Sequence, residues 1–208
     1  RQIRVRRKKR QDSGDGLQSE QVPMIPDHIE LRDYQSEAVR GWIASGGRGR
    51  FEMATGTGKT ITALAAAVNA VQQCEARGES LLVVVLVPDG PLVAQWSEDA
   101  AEFGFNPIAS ANRGWREEFA SHTLLLAHGE LSHSLVIATF DAALARKQEL
   151  AIQIDNHRSA DGEDSARVLL IADEAHGLGA QTRQSLLLDR FDYRLGLTAT
   201  FKRHFDDE

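Results

Sequence analysis

Apolar positions along the chain change character at Ile29. Residues 11–28, QDSGDGLQSEQVPMIPDH, show no period of 2 or 3.6 and are interrupted by Gly14, Gly16, Pro23 and Pro26. Beyond them, short apolar runs alternate with segments whose apolar residues recur every three to four positions. The densest run, LLVVVLV at 81–87, is apolar throughout, which fits a parallel strand buried on both faces; Pro88 and Gly90 end it. Shorter strands are predicted over 50–54, 135–139, 168–172 and 194–198, with a weaker strand and helix within 106–128. Helices are predicted over 33–45, 59–77, 91–103, 141–152 and 181–190. The first starts at Asp33 and spaces Tyr34, Ala38 and Trp42 one turn apart. The second carries Ile61, Leu64, Ala65, Val68 and Val71 on one face and ends near Gly78. Strands alternating with helices predict an α/β fold, a mostly parallel sheet covered by helices on both faces. The stretch 155–166, with Asp161, Gly162, Glu163, Asp164 and Ser165, reads as a mobile loop.

Composition narrows the class. The 208 residues are 42% hydrophobic and 26% charged, an ordinary globular balance with room for one domain or two small ones. No run approaches the ~20 apolar residues of a membrane-spanning helix. The single cysteine, Cys74, excludes an internal disulfide framework and has no Cys or His partner at metal-ligand spacing. A reducing intracellular setting is expected, cytoplasmic or nucleoid-associated and not secreted.

The net charge of −6 averages two unlike parts. Residues 1–10, RQIRVRRKKR, hold seven of the 24 Lys and Arg and no acid, which leaves 17 basic against 30 acidic residues elsewhere, a balance of −13. We read 1–28 as a basic tail and linker and 29–208 as the folded domain. The tail is a solvated connector, a phosphate-backbone contact or a nuclear address. It lacks the apolar core of a secretory signal, and a start at Arg1 suggests a piece of something longer.

Candidate chemistry lies in two segments. MATGTGKT (53–60) stands between a predicted strand and a predicted helix, the context a phosphate-binding loop needs. Its glycines let backbone N–H groups turn around a phosphate, and the helix that follows points its positive end at the anion. Lys59 would reach the β- and γ-phosphates and the Thr60 hydroxyl would hold Mg²⁺. Met53 stands where the general pattern has glycine. VLLIADEAH (168–176) then puts Asp173 at the C-terminal end of a buried strand, where ligands bind in open α/β sheets. There Asp173 can complete the Mg²⁺ coordination, and Glu174 can orient an attacking water.

The order of motifs resembles superfamily 2 helicases and translocases, specifically the first RecA-like lobe of their motor. LRDYQ (31–35) is similar to the adenine-recognition motif and ATGTGKT (54–60) to the family's phosphate loop. VPDGPLVAQW (87–96) is similar to motif Ia and VIATF (136–140) to the nucleic-acid-contacting strand end after it. DEAH (173–176) has the form of motif II and LGLTAT (195–200) that of motif III. The resemblance covers about 29–201. It implies that Thr55, Gly56, Thr57, Gly58, Lys59 and Thr60 hold the phosphates of ATP. It also implies that Gln35 reads the adenine edge with Arg32 beside it, and that Thr198, Thr200 and His176 link the γ-phosphate site to the nucleic-acid track. Gln95, Trp96 and Thr139 are the candidate nucleic-acid contacts, with packing into the core as the alternative for Trp96, an aromatic in an apolar helix.

The same resemblance implies a second RecA-like lobe as partner, supplying arginine fingers typically worth about 10³–10⁵ in rate. With sequence only to Glu208, the chain is expected to bind nucleotide but to hydrolyse ATP slowly and not to unwind. LRDYQ and TATF lean toward restriction-type and repair-type duplex DNA translocases. An RNA-directed enzyme of the same superfamily and a P-loop binding module without motor action are the alternatives.

Overall fold

The computed structural model describes residues 22–54, 56–159, 165–174 and 190–199. Its strands are β1 (Arg48–Glu52), β2 (Ser80–Val87), β3 (Pro107–Ala109), β4 (His133–Thr139), β5 (Ala166–Ala172) and β6 (Tyr193–Thr198). They form one sheet in the order β1-β6-β5-β2-β4-β3, and every neighbouring pair is parallel. The helices are α1 (Asp33–Ala44), α2 (Lys59–Arg77), α3 (Gly90–Glu102), α4 (Trp115–Ala127), α5 (Phe140–Ala145) and α6 (Lys147–Ser159).

The apolar run of β2 explains its central place. All eight of its residues are buried, because β4 and β5 pair on either side and helices cover both faces. Leu81, Val83, Val85 and Val87 point into a core shared with α1, α2 and α3, where Trp42, Leu64, Val68 and Trp96 lie. Leu82, Val84 and Leu86 point the other way, into a core with Phe119, Leu126, Phe140 and Ile154. The expected two-sided α/β architecture is what forms.

Helix α2 occupies the predicted 59–77, and the other elements start or end within a few residues of expectation, with four informative differences. In α1 the buried face is Gln35, Val39 and Trp42, while Tyr34 is exposed. Strand β1 ends at Glu52, so Met53 and Ala54 belong to the loop. The helix expected over 141–152 is two helices, broken at Arg146 (φ −127°). Helix α6 runs on to Ser159, so 155–159 are helical rather than loop. The last turns of α6 are anchored by buried Ile154 and by His157, whose Nε2–H donates to the Arg167 carbonyl at 3.1 Å.

Part of the expected linker is docked. Met24 N–H donates to the Phe103 carbonyl at 3.0 Å, and Gln72 Nε2 donates to the Pro23 carbonyl at 3.3 Å. The basic run at 1–10 lies outside the described residues, as does the helix expected over 181–190 up to residue 189. Because the six strands are parallel, their C-terminal ends share one rim, where Lys59, Asp173 and Glu174 come together.

Candidate nucleotide and nucleic-acid site

The loop after β1 leaves the sheet beside the end of β6: Met53 N–H donates to the Thr198 carbonyl at 3.1 Å, and Met53 is buried. Thr57 closes the turn, its N–H and its hydroxyl both donating to the Ala54 carbonyl, at 3.3 and 2.6 Å. Helix α2 starts immediately after, with the Thr62 N–H and hydroxyl each 2.9 Å from the Gly58 carbonyl. The unpaired N–H groups of its first turn therefore open at the loop, a ready site for an anion. Gly58 is required twice over. Its φ of +85° is left-handed, and a Cβ there would lie 2.7 Å from Gln35 Nε2.

Facing the loop, Asp173 extends β5 by one ladder bond, its N–H donating to the Leu86 carbonyl at 2.8 Å. Asp173 is 7% exposed, and its carboxylate accepts the Glu174 N–H at Oδ1, 2.9 Å, and the Trp96 indole N–H at Oδ2, 3.0 Å. Glu174 adopts a left-handed φ of +51°, uncommon for a residue with a Cβ and a form of strain that concentrates at functional sites. Glu174 Oε1 lies 3.4 Å from Lys59 Nζ, so side chains 115 positions apart meet across the rim.

This set fits a magnesium nucleotide. Backbone N–H groups and one ammonium suit polyphosphate, while the Thr60 hydroxyl, on the second residue of α2, and Asp173 are hard oxygen donors. Among the described residues each Asp173 oxygen accepts from one donor, which leaves it a lone pair for a cation or its water. Among the described residues no group of three or more His, Cys, Asp or Glu could hold a metal. A cation at Asp173 would draw its remaining ligands from phosphate and water, the usual habit of Mg²⁺.

The LRDYQ segment braces the loop from outside. Gln35 is 5% exposed; its Oε1 accepts the Arg32 N–H at 2.9 Å and its Nε2 donates to the Thr57 and Gly58 carbonyls at 3.3 and 3.4 Å. The Tyr34 hydroxyl donates to the Thr57 carbonyl at 2.7 Å, and Arg32 Nη1 donates to that hydroxyl at 3.2 Å. Tyr34 is thus a site residue that motif reading passed over. Its place beside Gln35 in the LRDYQ segment was the available signal.

The expected nucleic-acid residues separate. Gln95 is exposed on α3. Thr139 ends β4 half-buried, and its Oγ1 accepts the Ala142 N–H at 3.1 Å, capping α5. Trp96 takes its packing alternative and not the nucleic-acid one: it is 0% exposed, so its ring offers no surface to a nucleic acid and instead serves the core and Asp173. Thr198 is half-buried, paired in register with Glu52 at the loop's origin. Thr55, His176 and Thr200 lie outside the described residues. Cys74 is chemically quiet, since burial pushes its thiol up to about 11.

Comparison with known proteins places the chain in a family. Residues 28–203 match the family described as the res subunit of Type III restriction enzymes (ResIII). The DNA 3′-5′ translocase XPB2 of Sulfurisphaera tokodaii is 31% identical over 185 residues, covering 87% of this chain and 33% of XPB2. A nuclease-deletion mutant of the Type ISP restriction-modification enzyme LlaGI, solved with a DNA substrate mimic, aligns with a TM-score of 0.57 at 20% identity, over 83% of this chain and 18% of that one. The Hef helicase domain of Pyrococcus furiosus gives 0.57 at 20%, over 86% of this chain and 34% of that one. The chain thus spans about a third or less of these relatives. The chain belongs to the ResIII family, and its all-parallel α/β sheet has the RecA-like fold.

Proposed function

We propose that the chain is the ATP- and DNA-binding first lobe of an ATP-dependent DNA helicase or translocase, one that hydrolyses ATP to ADP and phosphate when a second RecA-like lobe completes the site. The observation that carries this reading is the meeting of Lys59 and Glu174 at 3.4 Å, with Asp173 beside them and the start of α2 below. Backbone N–H groups of the 55–60 loop and Lys59 would hold the phosphates. Thr60 and Asp173 would hold Mg²⁺, which neutralises charge on the phosphate oxygens when bound. A phosphate oxygen entering between Lys59 and Glu174 would take the lysine as counter-ion and leave the carboxylate to orient water for in-line attack. Arg32 is exposed and placed for the base or a phosphate, while Gln35 acts first on the loop that it braces. His176, Thr198 and Thr200 would link this site to the nucleic-acid face.

DNA rather than RNA is supported by the relatives, since XPB2 is a DNA translocase and LlaGI was solved with a DNA substrate mimic. Gln95 and the rim at Thr139 are the contacts we assign, binding backbone phosphate without sequence preference. The acidic body, at −13 outside the basic run, requires those contacts to be local. A fluorescent ATP analogue should titrate the chain in the presence of Mg²⁺ and fail to titrate Lys59→Ala, and labelled duplex DNA should bind more tightly than RNA of equal length. Equal analogue affinity in the two proteins would overturn the site, and a preference for RNA would overturn the substrate.

A further inference from the structure

We propose that Trp96 is a positioning residue for Asp173, so that helix α3 holds the carboxylate assigned to Mg²⁺ in a single orientation; this rests on the Mg²⁺·ATP reading above. An indole N–H is donor only, and burial obliges it to find an acceptor. Trp42 shows the ordinary solution, donating to a backbone carbonyl, that of Arg194, at 3.0 Å. Trp96 does something different. Wholly buried on α3, it reaches 77 positions along the chain and donates to Asp173 Oδ2 at 3.0 Å. The Glu174 N–H takes Oδ1 at 2.9 Å. Among the described residues, one donor on each oxygen sets the plane of the carboxylate and leaves one lone pair on each for a cation or its water.

The bond is built into the helix. Val93, Trp96 and Ala100 form the buried face of α3, and Asp89 Oδ1 caps its start by accepting the Leu92 N–H at 3.1 Å. The ring therefore stands between a capped, packed helix and the end of β5. Removing only its N–H would leave the packing in place while Oδ2 lost its protein donor. Groups that orient a metal's carboxylate in this way typically change metal affinity by about 10-fold or more when lost.

The test pairs Trp96→Phe, which keeps a ring in the core, with Val93→Ala on the same face of α3. We expect Trp96→Phe to raise the Mg²⁺ concentration needed for half-maximal binding of the ATP analogue by about 10-fold, and to leave metal-free analogue binding unchanged. Val93→Ala should lower the unfolding temperature and leave the Mg²⁺ requirement where it is. A wild-type Mg²⁺ requirement in Trp96→Phe, or an equal shift in Val93→Ala, overturns the proposal. Wild-type protein that does not bind the analogue at all would remove the nucleotide reading instead. A metal-free measurement separates the two failures. The chain's three tryptophans give three indole N–H signals by nitrogen-15 NMR, and Asp173→Asn should move one of them and spare that of Trp42. Because this comparison leaves Trp96 in place, it decides the matter even where Trp96→Phe folds poorly; no moved signal overturns the proposal.

Discussion

The two halves of the sheet's C-terminal rim are built differently. On the β1, β6 and β5 side, the glycine loop, Lys59, Glu174 and the Tyr34–Gln35 brace hold one another through direct bonds of 2.7 to 3.4 Å. On the β2 and β4 side, α3 and the start of α5 divide their residues between core and solvent: Trp96 inward, Gln95 outward, Thr139 spent on a helix cap. A site for a small charged ligand needs converging groups at fixed distances. A surface that slides along a polymer needs only exposed groups on a rigid support.

That contrast orders the expected effects. The largest is on the converging side: Lys59→Ala should weaken Mg²⁺-dependent binding of the ATP analogue by about 100-fold or more, as the loss of a partly buried charge partner typically does. Its unfolding temperature should change little. Next, Gly58→Ala should destabilise the fold by about 2 kcal/mol, the left-handed φ contributing about 1–2 kcal/mol and the displaced Gln35 amide the rest. Gly41→Ala, in an open stretch of α1 with nothing within 4 Å of the new Cβ, should instead stabilise by about 0.5–1 kcal/mol. Chemical denaturation of both variants checks the pair, and equal signs would deny that the loop requires its glycine.

On the other side of the rim, Thr139→Val should cost about 1 kcal/mol through the lost cap. Gln95→Ala should stay within about 0.5 kcal/mol of wild type in stability while weakening duplex DNA binding. A stability loss in Gln95→Ala as large as that in Thr139→Val would contradict the inward and outward division of α3.

The smallest effect is one of pH and lies far from the rim. Burial of His157 lowers its pKa in the fold below the ordinary 6.5, with the Arg167 carbonyl holding its ring N–H. The unfolded chain therefore binds the proton more readily. The contribution of this histidine to stability is intact above about 6.5, falls as pH drops through that value, and levels off below the folded-state pKa. Unfolding temperatures of wild type and His157→Gln, compared across this window, should converge toward acid pH.

Much of this was legible in the sequence. The all-apolar 81–87 run announced a central parallel strand because burial on both faces leaves no polar position. That Lys59, Asp173 and Glu174 would meet was legible because each follows a strand in a parallel α/β pattern, whose strand ends share one rim. What failed were assignments that depend on which way a side chain points. Trp96 belongs to a motif, yet its spacing with Val93 and Ala100 already marked it as inward, and periodicity was the better guide. Tyr34, Ala38 and Trp42 share one stripe with Gln35 and Val39, and which edge of it faced the core was decided by polar bonds from Gln35 to the glycine loop. Residues 155–159 looked loop-like from their polarity, but tertiary burial of Ile154 and His157 carries the helix through them. Strand order and register arise from contacts far apart in sequence, which no local pattern encodes.

Hydrogen exchange read by mass spectrometry, with and without the Mg²⁺·ATP analogue, asks whether these distant segments form one site. Nucleotide should slow exchange together at the amides of 56–60 and of 173–174 while the α6 amides stay unchanged. Protection of only one of the two segments, or protection centred elsewhere, would contradict it.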